Sequence, residues 1–337
     1  MSDRFEPGSV ISQSFDIRIV EKIAEGGMGE VYDAVLLGAS GFEKRIALKI
    51  IRSEITGVPS TETQAGRRRD FLDRFINEAK LVSNLIHTHI AQMYLLGMIG
   101  EPGREIGYIA MELVNGINLR SFIDKHLFEE KHVPVDIAVY IASRVARALE
   151  YAHNATGRGG DLLGIVHRDV SPTNIMVSIE GVVKLSDFGI AKVVADESHG
   201  RDYVAGKRRY MAPEQTQTGN VDFRADIYSL GLVLFELLTN RMPDPDLPFV
   251  SCSSFRGGVP AEIERILHRS TNRHPRERYG TTSELAVDLE KAIYDKGYGP
   301  TFVTMSNYLK DLFPALAVEM PQVGAEEATI IFDKTQQ

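Results

Sequence analysis

Apolar and polar residues alternate through residues 14–51, with turn residues between the alternating stretches. This period of two predicts a meander of strands. Phe15-Asp16-Ile17-Arg18-Ile19 is one strand, Glu30-Val31-Tyr32-Asp33-Ala34-Val35 a second, and Arg45-Ile46-Ala47-Leu48-Lys49-Ile50 a third. Residues 53–69 break the pattern. They are polar, contain Pro59 and end in Arg67-Arg68-Arg69, which predicts a mobile surface loop. The period then lengthens: Phe71, Phe75, Ala79 and Val82 share one helical face, so a helix is expected over 71–85. Two further strands fit 90–98 and 107–113. Beyond residue 114 the helical period dominates. Val135 to His153 reads as a long amphipathic helix and Ala225 to Thr239 as an apolar, buried one, with two more over 262–269 and 283–294. A strand-rich first third joined to a helical remainder predicts an α+β chain of two lobes.

Composition narrows the class. A chain of 337 residues, 43% hydrophobic and 25% charged, can bury a sizeable core. A net charge of -8 argues against general affinity for nucleic acid or an anionic membrane. Cys252 is the only cysteine, so no disulfide closes within the chain. The most apolar run, Ile227 to Leu238, is too short to span a bilayer and is interrupted by Ser229 and Glu236. A cytoplasmic protein without a membrane span is the expectation.

Chemistry concentrates in one stretch: His167-Arg168-Asp169, then Asn174, then Asp187-Phe188-Gly189. Asp169 and Asn174 are five apart before the strand Ile175 to Val177, and Asp187 follows the strand Val182 to Leu185. Two short strands thus aim an amide and a carboxylate at one point, which suits a cation with oxygen ligands. Asp169 is placed to take a proton from an attacking hydroxyl. Upstream, Gly26-Gly27-Met28-Gly29 lies between the first two strands, where glycines allow backbone amides to approach phosphate oxygens or simply make a hairpin turn. Lys49 is a candidate cation for phosphates, with Glu78 on the following helix as its candidate carboxylate.

In this order and spacing the residues resemble the bacterial eukaryotic-like (Hanks-type) serine/threonine protein kinases, over roughly residues 15–294. The resemblance implies a bilobal protein-kinase fold: a small antiparallel β-sheet lobe with one key helix (14–113), a larger, mainly helical lobe (114–294), an N-terminal extension (1–13) and a C-terminal helix and tail (295–337). It implies Mg²⁺ (or Mn²⁺) and ATP as cofactors, and transfer of the γ-phosphate to Ser or Thr of proteins, the kinase itself included, in bacterial signalling. The alternative is a catalytically weak scaffold that binds nucleotide and partners. By the same resemblance Lys49 pairs with Glu78, Asp169 is the catalytic base, and Asn174 and Asp187 bind the metal. Ala24, Gly26, Gly27, Gly29, Val31, Ala47, Met111, Glu112, Val114 and Met176 surround the nucleotide, with Met111 the gatekeeper and Glu112 to Val114 the hinge. Asp226 braces the catalytic loop, Arg278 pairs with Glu214, and His167 stacks with Phe188.

The chain departs from that pattern at three places. Ala24 stands where the family usually has the first glycine of its phosphate loop. Ser171 stands where it has a lysine, while Lys207 follows Gly206 where it has a threonine. The two side-chain types look exchanged. In one reading Lys207 supplies the γ-phosphate cation and Ser171 orients Asp169; in the other Lys207 is a solvated loop lysine. Residues 240–260 leave little room for the helix usual there. Arg168, Lys192 and Arg74 could form a phosphate pocket, with Ser198 and Tyr203 as acceptors in a segment that has no Thr.

Thr301 to Phe313 reads as a short amphipathic helix. In the tail, Thr329 lies among acidic and apolar residues, as a flexible end or as a site for a phosphothreonine-binding partner. A homodimer for trans-autophosphorylation would complete the set of partners.

Overall fold

The computed structural model describes residues 10–12, 16–26, 29–38, 41–51, 73–100, 106–157, 159–188, 207–217, 221–243, 250–295 and 297–317. Six antiparallel strands form the first sheet. They are β1 (Val10–Ser12), β2 (Asp16–Gly26), β3 (Gly29–Leu37), β4 (Glu43–Ile51), β5 (Met93–Ile99) and β6 (Ile106–Glu112), in the order β1-β2-β3-β4-β6-β5. The expected alternation supplies its core. Ile17 and Ile19 from β2, Ile46, Leu48 and Ile50 from β4, and Tyr108 and Ala110 from β6 are all buried in one cluster. One helix, α1, covers residues 73–82. Its Phe75 is 1% exposed and sits over Gly107 of β6, where an added Cβ would come within 2.9 Å of the ring. The glycine is what lets the helix approach the sheet.

A second, three-stranded sheet consists of β7 (Gly116–Asn118), β8 (Ile175–Ser178) and β9 (Val183–Leu185). The remainder is helical: α2 (Leu119–Phe128), α3 (Val135–His153), α4 (Pro213–Gln217), α5 (Arg224–Thr239), α6 (Ala261–Ser270), α7 (Thr282–Tyr294) and α8 (Phe302–Leu312). Every residue of α5 from Ala225 to Thr239 is buried, as an all-round apolar helix must be. On α3, Arg144 and Arg147 both reach Glu290 of α7. Between α5 and α6 the described residues form only a single turn, Cys252–Ser254, consistent with the missing helix. Among the described residues no helix is long and apolar enough to cross a membrane.

Two expectations shift. The strand expected over 90–98 begins at Met93, because Ile90 is used elsewhere, in a parallel bridge to Leu185 of β9. Helix α2 was not expected. The basic run Arg67-Arg68-Arg69 and Thr329 lie outside the described residues.

Candidate active site

The β8–β9 hairpin builds the centre of the site. Ile175 pairs with Leu185, which brings Asn174, just before β8, beside Ser186 and Asp187, just after β9. The junction is fixed by the Ser186 amide, which donates to the Asn174 carbonyl at 2.8 Å. Asn174 is 4% exposed and its Nδ2 donates to Asp169 twice, to the carbonyl at 2.8 Å and to Oδ2 at 2.9 Å. Asn174, rather than Ser171, is therefore what orients the Asp169 carboxylate. The Ser171 hydroxyl is buried and bonded to Thr173 at 3.0 Å, which corrects the role expected for it.

Behind the loop, a single carboxylate on α5 holds two successive amides. Asp226 Oδ2 accepts from His167 N and Oδ1 from Arg168 N, both at 2.7 Å. His153 of α3 also reaches Oδ2, at 2.8 Å. Burial alone would raise the Asp226 carboxyl, but the hydrogen bond and charge of His153, with the His167 ring and amide, hold it below the usual carboxylate range. His167 Nε2 donates to the Ser186 carbonyl at 2.8 Å, and the ring meets Phe188 edge-on at 4.5 Å. Arg168 and Asp187 are held at φ 66° and 65°, a left-handed backbone that non-glycine residues adopt only where the surroundings impose it.

Lys49, on β4, donates to Asp187 Oδ1 at 2.7 Å. The resemblance implied Glu78 as its partner; the bond in the structure is to Asp187, since the buried ammonium finds that carboxylate at the floor of the cleft. Glu78 is half-buried on α1 and Arg74 is exposed one turn before it.

A cleft of about 620 Å³ runs between Ala24, Gly26, Gly29, Val31 and Lys49 on one side and Ser171, Asn174 and Asp187 on the other. At Gly26 an added Cβ would meet nothing within 4 Å, so no internal packing requires glycine there. Gly29 differs: its φ is +150° and a Cβ would lie 1.9 Å from the Ile50 carbonyl. Ala24 lies in extended β2 opposite Val31, where a methyl is tolerated. Ala47 is buried opposite Met111 in the β4–β6 ladder, and Met176 pairs with Asn118. The Glu112 side chain turns back to Lys184 at 3.0 Å. Val114 lies two residues before β7. Lys207 opens the short turn Lys207–Tyr210. Gly27, Lys192, Ser198 and Tyr203 lie outside the described residues.

The donor set fits a divalent cation. With Nδ2 held by Asp169, Asn174 has its amide oxygen left to offer, beside the Asp187 carboxylate. One amide and one carboxylate are too few for a closed metal cage, but suit a hard cation that keeps water and takes phosphate oxygens.

One network was not anticipated. Arg120 of α2 donates to Glu236 Oε1 through both terminal nitrogens, at 2.9 and 2.8 Å, and the Tyr210 hydroxyl donates to Oε2. All three line the cleft. Its one signal in the sequence is Glu236 itself, an acid inside an apolar run that must bury with a partner. Further down, Arg278 forks onto both oxygens of Glu214 at 2.6 and 2.9 Å, as expected.

Comparison with known proteins agrees with this geometry. The family described as "Protein kinase domain" matches residues 17–286. The chain is 34% identical over 308 residues to the tyrosine-protein kinase MasK of Myxococcus xanthus, covering 88% of this chain and 46% of that protein. It is 33% identical to the serine/threonine-protein kinase PksC of Streptomyces coelicolor, covering 76% and 45%. The crystal structure of the Mycobacterium tuberculosis PknI kinase domain superimposes with a TM-score of 0.64 at 26% identity, over 86% of this chain and 99% of that one. The chain spans under half the length of these curated relatives. The fold, the catalytic-loop geometry and the match over residues 17–286 together establish that the chain belongs to the protein kinase domain family, whose members use ATP and a divalent metal.

Proposed function

We propose that this protein transfers the γ-phosphate of ATP to Ser or Thr hydroxyls of protein substrates, itself among them, in bacterial signalling. The observation that carries the reading is that Lys49, Asn174 and Asp187 line one cleft, with Lys49 bonded to Asp187 and Asn174 to the Asp169 carboxylate. Asp169, oriented by Asn174, accepts the proton of the incoming hydroxyl as its oxygen attacks phosphorus in line. Asn174 and Asp187 hold Mg²⁺, or Mn²⁺ in its place, which when bound neutralises phosphate charge. Lys49 binds the α- and β-phosphates. Val31, Ala47, Met111 and Met176 enclose the adenine, and the backbone of Glu112 to Val114 orients it. Lys207 supplies the cation for the γ-phosphate, the role its exchange with Ser171 leaves open. Arg74, Arg168 and Lys192 receive a phosphate carried by Ser198 or Tyr203. A phosphothreonine-binding partner for the tail and a homodimer for autophosphorylation in trans complete the proposal, with the cytoplasm as its setting.

Purified protein incubated with Mg-ATP and a generic protein substrate tests this, with phosphoamino-acid analysis of the product. Asp169→Asn should lower the rate by about 10²- to 10⁴-fold, the contribution of a positioned general base. Lys207→Ala should lower it by about 10²-fold; a loss under threefold leaves Lys207 a solvated loop residue. Phosphotyrosine as the sole product would reassign the acceptor, in line with the name of the MasK relative. Nucleotide binding without transfer to any substrate would leave the scaffold reading.

A further inference from the structure

Helix α8 lies beyond the residues matched by the kinase family, yet Met305 and Leu309, both 0% exposed, build it into the same apolar cluster as α3 and α5. Its hydrogen bonds reach two elements near the hinge. The first is the β8–β9 turn. Ser306 Oγ, buried, donates to the Ile179 carbonyl at 2.6 Å. Gly181, at φ +86°, lies so close under the helix that a Cβ there would come 1.8 Å from the Phe302 carbonyl and 2.6 Å from the Ser306 amide. The second is α2. Its His126 donates through Nδ1 to the Phe122 carbonyl at 2.8 Å, which leaves Nε2 to accept the Tyr308 hydroxyl at 2.6 Å. The two rings lie nearly parallel, 14° apart.

Ile179 is the pivot. Its carbonyl takes the Ser306 hydroxyl, while its amide donates to the Asn115 carbonyl at 2.9 Å. Asn115 follows Val114 directly, and the same ladder continues through Gly116 with Ser178 and Asn118 with Met176. One residue therefore joins α8 to Asn115, the residue that follows the segment that would hold adenine. The ladder is close-packed: a Cβ on Gly116 would sit 2.1 Å from the Val177 carbonyl, so the hinge end of β7 cannot shift without moving β8.

We infer that α8 is a positioning element for nucleotide binding, with Ser306 setting the hinge through Ile179 and Tyr308 holding α2 in place. The inference rests on the nucleotide reading of the cleft. It implies that whatever moves α8 tunes ATP affinity from the far side of the hinge, without touching the nucleotide.

The test uses the full chain with Ser306→Ala, Gly181→Ala and, as a control on the outer face of α8, Asn307→Ala. Two quantities are read: the Kd for Mg-ADP by calorimetry, and amide hydrogen exchange over residues 114–118 and 302–312 without nucleotide. Ser306→Ala leaves the buried Ile179 carbonyl without its donor. It should weaken Mg-ADP binding about fivefold and speed exchange at 114–118. Gly181→Ala should do the same more strongly and also speed exchange at 302–312. Asn307→Ala should change neither. In peptide kinetics the KM for ATP should rise while kcat stays within about twofold, a split that general destabilisation does not produce. Exchange at 302–312 released by Gly181→Ala, with Kd and 114–118 unmoved, would overturn the inference and leave α8 a structural appendage. If the unsubstituted chain binds no nucleotide, both this inference and the function proposed above fall; binding without a shift removes this one alone.

Discussion

The two sides of the cleft are organised in opposite ways. The catalytic loop is bonded at almost every residue: Asp226 takes the amides of His167 and Arg168, Asn174 holds Asp169, and the Gln215 side chain reaches the Arg168 carbonyl at 3.0 Å. On the other side, where β2 ends, Gly26 faces open space. One side is rigid before any ligand arrives, with polar groups fixed by buried partners. The other has room for a ligand to complete it. Charge stabilisation in phosphoryl transfer demands prepositioned groups, whereas a phosphate cradle needs only backbone that can approach closely.

If the catalytic loop is held from behind, the largest effect of any change outside the cleft should come from Asp226. Asp226→Ala removes, from a fully buried position, the acceptor of the amides of His167 and Arg168 and of the His153 ring. Breaking such a network costs about 3–5 kcal/mol. Loop displacement on the order of 1 Å costs about 10²-fold in rate. Denaturant unfolding and kcat on the folded fraction measure the two separately. Asp226→Asn retains one oxygen and should fall between. A variant that loses stability but keeps kcat would show that the loop holds its own shape.

Much of this was legible in local pattern, and what was not has identifiable causes. The helix expected over 135–153 spans Val135–His153, because its apolar stripe keeps a strict helical period. Helix α2 escaped notice although Leu119, Phe122, Ile123 and His126 also lie on one buried face. The fourth position is a histidine, which reads as polar until its two partners are seen. The motif residues could be named from spacing, but their partners could not. Lys49 meets Asp187 and Ser171 meets Thr173 because of how strands and loop close in space, and Glu236 finds Arg120 across more than a hundred residues. Sequence pattern reports faces; it does not report which side chain lies opposite another.

A smaller effect should follow acidification. His89 backs the same rigid side: its carbonyl accepts the Leu185 amide at 2.9 Å, and its Nδ1 donates to the Val183 carbonyl at 2.8 Å. Burial pushes the ring down to about 4, against the raising effect of that last bond, from an ordinary value of 6.5. Above pH 6.5 the ring is neutral in both states and its share of stability is fully present. As pH falls from 6.5 towards 4 the unfolded chain takes up a proton that the folded chain refuses, and that share is progressively lost. Unfolding midpoints at pH 7.5, 5.5 and 4.5 should decline, and His89→Asn should flatten the slope. An unchanged slope in the variant would move the pH dependence to another group.

The smallest effect, and the one that separates the two sides most cleanly, is expected from a pair of glycines three residues apart. At Gly29 the backbone and the Ile50 carbonyl leave no room for a methyl. Gly29→Ala should therefore lower stability, by about 1–3 kcal/mol as overpacking and strain usually do. At Gly26 the backbone carries no such strain and the space is open. Gly26→Ala should hold stability or raise it by about 0.5 kcal/mol, since alanine restricts the unfolded chain. Its cost should appear only when a phosphate must come close to the Gly26 amide, as a rise of roughly threefold in the KM for ATP with kcat little changed. Thermal unfolding with and without Mg-ATP gives both numbers in one experiment: the apo midpoint reports packing, and the ligand-induced shift reports the cradle. Were Gly26→Ala to leave that shift intact, the open space at the hairpin end would have no bearing on phosphate. The glycine side of the cleft would then be a turn, and nucleotide affinity would have to come from Lys49 and the hinge.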